Sequence, residues 1–370
     1  MTREQHDLLK LLSYKLFGRG RPLEITEPIL EEARQHAVAS LLTTDYQVIA
    51  RNIRVDAAHA ELTDLLKGIP FVTMKGYASA SYYPEPINRA MGDVDFYVRP
   101  EYYKAASERL SQNGFVSSGR EHERHEAFNK DKVHFELHSE IKGIPNGKDG
   151  IEVASQKAEK IVRHYLDDVV DTAIAVDTQQ GTIIIPDEFH HGLIMLLHVA
   201  GHILNDGGIG LRHICDWAVY VDKVDLSKYR AQLQKMGLWR FACQLTALTV
   251  RYLGVKKKPW CMTFEKEFLS AFMADVLNAG NFGRKTKGRK NSLRFAEKKD
   301  PLGVFAEITA EHYDFCKKYP FLLPVGMVLY VLRFIVTRLT GKYKWISIST
   351  LKKSGSRKNI YDQFGLFRNR

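Results

Sequence analysis

The spacing of the hydrophobic residues changes twice along the chain. Up to residue 67 they recur every three to four positions, the period of amphipathic helices. From residue 71 to about 186 short apolar runs alternate with helical stretches, and from residue 187 long helical stretches return. The pattern therefore predicts an N-terminal helical segment at 1–67, a strand-containing core at 68–186, a helical domain at 187–345 and a tail at 346–370.

The strand-containing core has four predicted strands, at 71–74, 93–98, 115–118 and 133–138. The charged run 121–132 between the last two strands predicts a solvated loop. Helices are predicted at 77–83 and 100–112 within the core. In the helical domain at 187–345 the pattern predicts one continuous helix over 229–253.

Two of the predicted strands carry acidic side chains on a single face. Because side chains alternate across a strand, Asp93 and Asp95 point away from the apolar face of the strand 93–98. By the same alternation, Glu136 points away from the apolar face of its own strand. If the two strands are neighbours, the three carboxylates form a triad that needs a cation, and hard oxygen ligands favour Mg²⁺ or Mn²⁺. The alternative is a solvated face, which is common for Asp-x-Asp on an amphipathic strand.

The first strand ends in Lys75 and Gly76, at a predicted junction between strand and helix. A glycine there lets the backbone approach a phosphate, the start of the helix offers free N–H groups, and Ser79 adds a hydroxyl. A phosphate-binding turn followed by an acidic metal site is typical of proteins that handle nucleotides. Arg89, just before the acidic strand, has two interpretations: a clamp for phosphate or carboxylate groups, or a loop arginine that pairs with one of the two aspartates.

At these positions the sequence resembles a known family. The run Met74-Lys75-Gly76, then Arg89, then 92–98 and finally 135–138 resembles the uncharacterised bacterial nucleotidyltransferase family, within the polymerase-β-like superfamily. Members of that superfamily transfer a nucleoside monophosphate from a nucleoside triphosphate to a hydroxyl or other acceptor, with two Mg²⁺ ions held by three acidic residues. The resemblance covers roughly residues 70–220.

The resemblance implies an α+β fold, with a small mixed β-sheet nucleotidyltransferase core flanked by N-terminal and C-terminal helical segments. It implies Mg²⁺ or Mn²⁺ as the cofactor and an NTP, with ATP first, as the donor. Catalysis and metal binding are implied for Asp93, Asp95 and Glu136, the last as general base or metal partner. Lys75 and Gly76 stand where the superfamily has a Gly-Gly or Gly-Ser pair, and Lys75 is expected to supply positive charge in place of the usual serine contact. The residues implied to bind the nucleotide are Lys75, Gly76, Ser79 and Arg89.

Five histidines crowd into residues 190–213. His198 and His202 lie four residues apart and so share a helix face, a spacing that suits a transition metal. The metalloprotease pattern is excluded, because Val199 stands where that pattern has glutamate. Two interpretations stay open, metal ligands or satisfied polar groups between helices, and both are compatible with a pocket for the acceptor or the base. The residues predicted to line that pocket are His138, His198, His202 and Arg212.

Positive charge is concentrated at the C-terminal end. The 370 residues carry a net charge of +11, and residues 281–370 alone carry +14. With 45% hydrophobic and 26% charged residues, the composition excludes wholesale disorder, collagen and coiled coil. The two cationic clusters, at 284–290 and 352–370, have three interpretations: a solvated surface, docking on anionic lipid, or binding of a polyanionic acceptor. Nucleic acid ranks last, because the sequence shows no nucleic-acid-binding motif.

The remaining features concern the cell compartment. Four scattered cysteines and the absence of a secretory signal predict a cytoplasmic protein, with contact to the inner face of the membrane as an addition through the basic end. The apolar stretch 321–339 contains Pro324, Arg333 and Arg338, so no membrane span is predicted.

The sequence therefore predicts a nucleotidyltransferase that moves a nucleoside monophosphate from Mg-NTP to an unidentified acceptor by a two-metal mechanism. A small molecule, a saccharide and a protein are the acceptor classes considered. The alternative function is a catalytically inactive descendant of the fold that binds a nucleotide or a partner.

Overall fold

The computed structural model describes residues 1–122, 125–145, 156–206, 208–281, 301–339 and 357–368. The strands in these ranges are β1 (Phe71–Met74), β2 (Val94–Val98), β3 (Val116–His122), β4 (His125–Lys130), β5 (Val133–His138), β6 (Ile174–Thr178) and β7 (Gly181–Ile185). The helices are α1 (Arg3–Phe17), α2 (Glu27–Gln35), α3 (Tyr46–Leu65), α4 (Gly76–Ala80), α5 (Tyr103–Gln112), α6 (Gln156–His164), α7 (Glu188–Gly201), α8 (Leu211–Lys223), α9 (Arg230–Lys235), α10 (Trp239–Tyr252), α11 (Lys266–Ala279), α12 (Pro301–His312), α13 (Asp314–Lys318) and α14 (Leu323–Leu339).

Five of the strands form one mixed sheet, in the order β1-β2-β5-β4-β3. Strand β1 is antiparallel to β2, β2 is parallel to β5, and β5, β4 and β3 pair antiparallel. The prediction of an α+β fold with a small mixed sheet between helical segments is confirmed. Strands β6 and β7 form a separate two-stranded hairpin.

Strand β4 lies inside the run that was predicted to be a solvated loop, and that prediction is wrong. The strand pairs with β5 on one side and with β3 on the other. Ala127 and Phe128 are fully buried within it. Two apolar residues among charged neighbours are too few to show a strand pattern, and backbone pairing on both edges stabilises the segment instead.

A glycine breaks the helix predicted over 229–253. Helices α9 and α10 are separated at Gly237, whose φ is +69°. A Cβ at this glycine would come within 2.6 Å of the backbone of Phe367 and Arg368. The close approach of the C-terminal segment therefore requires glycine here, and the local hydrophobic pattern does not reveal a contact so far along the chain.

The predicted basic tail is in part a packed helix. Residues 357–364 are helical, and the ring of Phe364, which is fully buried, packs against Phe241 and Phe272 with centroids 5.1 and 4.8 Å apart. For 357–368 the prediction of a tail is therefore wrong. The cationic residues at 284–290, together with Lys352 and Lys353, lie outside the described residues, so membrane contact through the basic end stays a prediction.

Two large hydrophobic cores organise the described part of the chain, and a third, small cluster joins Ala78 to Ile183 and Ile185 of β7. The larger core joins α1 and α2 to helices α7, α8, α10 and α11, as with Leu12 and Leu245. The smaller core places α3 and α5 on the sheet, where Leu62 packs with Phe96 and Phe135. The N-terminal helices thus share their cores with elements far along the chain, and the predicted boundary at residue 67 does not coincide with a boundary between cores.

Helix α14 covers most of the apolar stretch that was examined as a membrane span. Several of its apolar side chains are exposed, among them Val328 and Leu332. Of the helices described, none is both long enough and apolar enough to cross a membrane.

Candidate active site

The parallel pairing of β2 and β5 brings two acidic residues side by side. In the register of this pair Asp95 lies opposite Glu136, and Tyr97 lies opposite His138. The apolar residues that alternate with them, including Phe96 and Phe135, are buried on the other face. The two acidic strands are therefore neighbours, as the prediction of a carboxylate site required.

Two basic side chains contact Asp95. The Nζ atom of Lys75 donates a hydrogen bond to Oδ1 of Asp95 at 2.9 Å, and Nε2 of His138 lies 3.0 Å from the same oxygen. The same Nε2 atom lies 3.1 Å from Oε2 of Glu136. Asp95 and His138 are buried, so these contacts are made largely without water. One imidazole thus joins two carboxylates, and a lysine binds one of them.

The neighbouring charges shift the pKa values of the three carboxyl groups in different directions. Burial alone would raise the pKa of Asp95, but the charges of Lys75 and His138 hold it well below its usual range. The hydrogen bond from His138 lowers the pKa of Glu136. By contrast, the negative charge of Asp95, together with burial, raises the pKa of Asp93. Burial would lower the pKa of Lys75 and of His138, but the carboxylates raise both, which favours the protonated forms.

Asp93 borders this cluster at the exposed end of the acidic strand. Asp95, Glu136 and His138 form a group whose possible ligand atoms all lie within 4.8 Å of one another, and Asp93 is not part of that group. Asp93 nevertheless interacts electrostatically with Asp95, Lys75 and Glu136. The structure therefore brings together two of the three predicted carboxylates, adds His138 to them, and places the third carboxylate beside them.

The turn between β1 and α4 aims Lys75 at the carboxylates. The backbone of Lys75 has φ 56° and ψ −123°, a region that costs a residue with a side chain roughly 1–3 kcal/mol and that recurs at functional sites. Gly76 follows with φ 24°. Helix α4 ends at Ala80, earlier than predicted, and with a length of five residues it adds little dipole to the turn. The side chain of Lys75 is therefore the main source of positive charge at this turn.

Two residues predicted to bind the nucleotide are buried in contacts with the helical domain. The hydroxyl of Ser79 lies 3.9 Å from Sδ of Met195 in α7. The guanidinium of Arg89 donates from Nε and Nη2 to the two carboxylate oxygens of Asp216 in α8, at 2.8 and 2.7 Å, and Tyr83 donates to Oδ1 at 2.7 Å. Arg89 therefore pairs with an aspartate, but not with one of the acidic strand. Nucleotide binding by Ser79 and Arg89 stays a prediction.

Three histidines from consecutive elements form a second cluster. His198 in α7, His202 in the π-helical turn His202–Asp206 and His213 in α8 have possible ligand atoms within 4.8 Å of one another. His213 was not among the predicted pocket residues, because it lies in another helix and no helical spacing connects it to the other two. His191, seven residues before His198, stacks on Tyr82 with ring centroids 5.2 Å apart.

The histidine cluster and the carboxylate cluster are electrostatic neighbours. Burial, followed by the charges of His202 and Lys75, lowers the pKa of His198 well below its usual value. Burial and the charge of Arg89 lower the pKa of Arg212, while the charges of Asp216 and Asp93 oppose that shift. Lys75 thus influences both clusters electrostatically and Arg212 interacts with Asp93, while the predicted acceptor pocket stays a prediction.

His59 in α3 lies next to the carboxylate cluster, and the sequence did not predict it there. Its ring lies 3.9 Å from the position of a Cβ at Gly76, and its Nδ1 lies 2.8 Å from the carbonyl of Val55. Burial lowers the pKa of His59 to about 4, and the charge of Asp95 opposes that shift. The ring is therefore neutral beneath the Lys75–Gly76 turn. A single histidine in an amphipathic helix gives no sequence signal for such a position.

Comparison with known families places this geometry in context. A family model described as an uncharacterised nucleotidyltransferase matches residues 4–254, more than half of the chain. The chain belongs to this family. The nucleotidyltransferase match extends from α1 to α10, so it includes the N-terminal helices and the histidine cluster as well as the sheet. The resemblance drawn from the motifs is confirmed, and the family supports a general role in nucleotidyl transfer. No curated protein matches the chain.

Proposed function

We propose that this chain transfers a nucleoside monophosphate from a Mg²⁺-bound nucleoside triphosphate to an acceptor hydroxyl, with ATP as the first donor to test. The observation that carries the proposal is the side-by-side placement of Asp95 and Glu136 on parallel strands. Lys75 supports it, because a partly exposed ammonium group beside the two carboxylates is suited to triphosphate oxygens. The acceptor class considered is a small molecule, a saccharide or a protein.

The donor set of the cluster fits a divalent cation. Asp95, Glu136 and His138 direct possible ligand atoms to within 4.8 Å of one another. Carboxylate oxygens favour Mg²⁺ or Mn²⁺ over softer metals, and Asp93 is the third carboxylate at the edge of the same group. When bound, such an ion neutralises triphosphate charge and lowers the pKa of the acceptor hydroxyl. His138 now bridges the two carboxylates, so its proton competes with the ion for the same oxygens.

The remaining roles belong to the side chains of the chain itself. Lys75 binds triphosphate oxygens and stabilises the charge that develops on them. The acceptor oxygen forms a bond to the α-phosphorus, the bond from that phosphorus to the bridging oxygen breaks, and pyrophosphate leaves. The proton of the hydroxyl passes to a carboxylate of the cluster, either Glu136, the general base that the resemblance implies, or Asp93 at its exposed edge.

A second candidate function is favoured by a specific contact. Lys75 and His138 already neutralise Asp95 and Glu136 within the protein. Internal cations in place of a metal are what a catalytically inactive descendant would keep, one that binds a nucleotide or a partner in the same cleft.

Calorimetric titration with each NTP, with and without Mg²⁺, followed by assay of pyrophosphate release, separates the two functions. We expect Mg²⁺-dependent binding and slow release by the full-length chain. Asp95→Asn should weaken Mg²⁺-NTP binding by more than about 10²-fold, because it removes a direct ligand rather than an outer one. The matched control is Asp64→Asn, which changes an exposed carboxylate at the end of α3 and should bind normally. If the NTP affinity is the same with and without Mg²⁺ and no pyrophosphate is released, the chain is the inactive descendant.

A further inference from the structure

The histidine cluster has the dimensions of a metal site. The Nε2 atoms of His198 and His202 lie 3.1 Å apart, and His213 brings a ring nitrogen to within 4.8 Å of both. Tetrahedral zinc with metal–nitrogen bonds of about 2.0–2.1 Å holds its ligand nitrogens about 3.3 Å apart. The 3.1 Å pair is already close to that spacing, and the distances to His213 have to shorten by at most about 1.5 Å.

Backbone structure around the cluster positions two of the rings. His202 begins a π-helical turn that directly follows α7, and π-helical turns are rare and recur at functional sites. The Nδ1 atom of His213 lies 3.2 Å from the backbone nitrogen of Gly210 and 3.3 Å from the carbonyl oxygen of the same residue, so it accepts from the N–H in one tautomer and donates to the carbonyl in the other. In the second tautomer Nε2 carries the lone pair, which is how metal-binding histidines are commonly oriented.

Burial keeps the cluster in the form that binds metal. It lowers the pKa of His198 and of His213 well below the usual value, with the charge of His202 as the next cause for both. Neutral imidazole is the form that coordinates a metal ion. Within the described residues, the buried Nδ1 of His198 has no hydrogen-bond partner, which favours metal ligands over fully satisfied polar groups.

We propose that His198, His202 and His213 bind one transition-metal ion, with Zn²⁺ as the ion that three imidazoles favour. Three protein ligands leave a fourth position open, as in catalytic rather than structural zinc sites, and the uncompensated charge of the ion suits water or an anionic oxygen there. The two clusters thus select different metals, because carboxylate oxygens favour Mg²⁺ and imidazole nitrogens favour zinc. This site does not depend on the proposed nucleotidyl transfer.

The test is zinc retention by the untagged full-length chain. The protein is incubated with ZnCl₂, passed through gel filtration in excess Mg²⁺ and analysed for metal, and we expect about one zinc ion per chain. His202→Gln and His198→Gln should each lose it. His191→Gln is the matched control, since it changes a buried histidine of the same helix outside the cluster, and Asp95→Asn is the control for the carboxylates. Both controls should retain zinc.

Cobalt substitution gives a second measurement on the unaltered protein. Co²⁺ in a tetrahedral site of three imidazoles absorbs visible light strongly, whereas Co²⁺ among carboxylates and water absorbs weakly. A strong spectrum that His202→Gln abolishes supports the site. The proposal is overturned if the unaltered chain keeps no zinc, if its cobalt spectrum is weak, or if zinc is lost in Asp95→Asn and retained in His202→Gln. The cobalt spectrum decides even where a histidine variant does not fold.

Discussion

Two buried aspartates of this molecule bind basic side chains, in different ways. Asp216 receives two parallel hydrogen bonds from Arg89 and a third from Tyr83, so both of its oxygens are engaged. Asp95 shares a single oxygen between Lys75 and His138. Burial would raise the pKa of either carboxyl, yet the basic neighbours lower the pKa of Asp216 to about 2 and that of Asp95 as well.

The comparison shows that a shifted pKa does not by itself distinguish an active site from a structural ion pair. The Arg89–Asp216 pair joins residues that are 127 positions apart and fastens the segment before β2 to helix α8. Around Asp95, by contrast, Glu136 and Asp93 add further negative charge beside the same cations. An excess of carboxylates over cations is what leaves a place for a metal ion.

The largest expected effect is on stability and comes from breaking the ion pair between Arg89 and Asp216. Arg89→Met leaves the carboxylate of Asp216 buried without its cation, which should lower the free energy of unfolding by about 3–5 kcal/mol. Lys75→Met should cost only about 1–2 kcal/mol, because His138 still contacts Asp95. Urea unfolding followed by circular dichroism measures both. Equal losses in the two variants would show that the two ion pairs are equivalent, contrary to the comparison drawn from their geometry.

A smaller effect on stability depends on pH. It tests whether His138 and Lys75 share Oδ1 of Asp95. The pKa of His138 is raised, against the effect of burial, by the hydrogen bonds to Asp95 and Glu136, while Lys75 opposes that shift and the ring of His125 lies beside it. A raised pKa contributes stability that is fully present below the usual histidine pKa and is lost as pH rises through the folded-state pKa.

His138→Gln should therefore cost about 1.5–3 kcal/mol of unfolding free energy at pH 6, and the difference from the unaltered chain should shrink as pH rises. Over the same rise in pH the unaltered chain should bind Mg²⁺-NTP more tightly, because His138 releases the proton that competes with the ion. Denaturation and calorimetry at matched pH values measure the two trends. A pH-independent difference would remove His138 from the carboxylate cluster.

The smallest expected effect concerns the turn that carries Lys75. A Cβ at Gly76 would meet nothing closer than 3.8 Å, so Gly76→Ala should cost only the backbone strain of its positive φ, about 1–2 kcal/mol. Gly92→Ala is the matched control, since that glycine has no positive φ and open space around it, and its stability should stay within about 0.5 kcal/mol. Thermal unfolding compares the two. A Gly76→Ala variant as stable as the control would show that the turn does not require glycine.

The sequence reasoning succeeded where structure is local and failed where it depends on distant contacts. The alternation that places Asp95 and Glu136 on one face of the sheet was predictable, and so was the end of β1 at the Lys75 turn. Strand β4 was not predicted, because hydrogen bonding to its neighbouring strands stabilises it and its own sequence lacks the alternation of apolar and polar residues. The partner of Arg89 was not predicted, because it depends on how helix α8 packs. For the same reason His213, one of the five crowded histidines, was not predicted to join His198 and His202.

By itself, the sequence determined the α+β class, the family and the acidic face of the sheet, because side-chain alternation and short motifs are properties of neighbouring residues. Only the tertiary structure decided that Asp95 and Glu136 meet on parallel strands, that His138 bridges them and that Arg89 pairs with Asp216. The basic residues at 357–368 likewise belong to a packed helix and the segment after it rather than to a tail. The reason is physical: a charge takes its role from the partners that folding brings to it, and those partners lie tens to more than a hundred residues away.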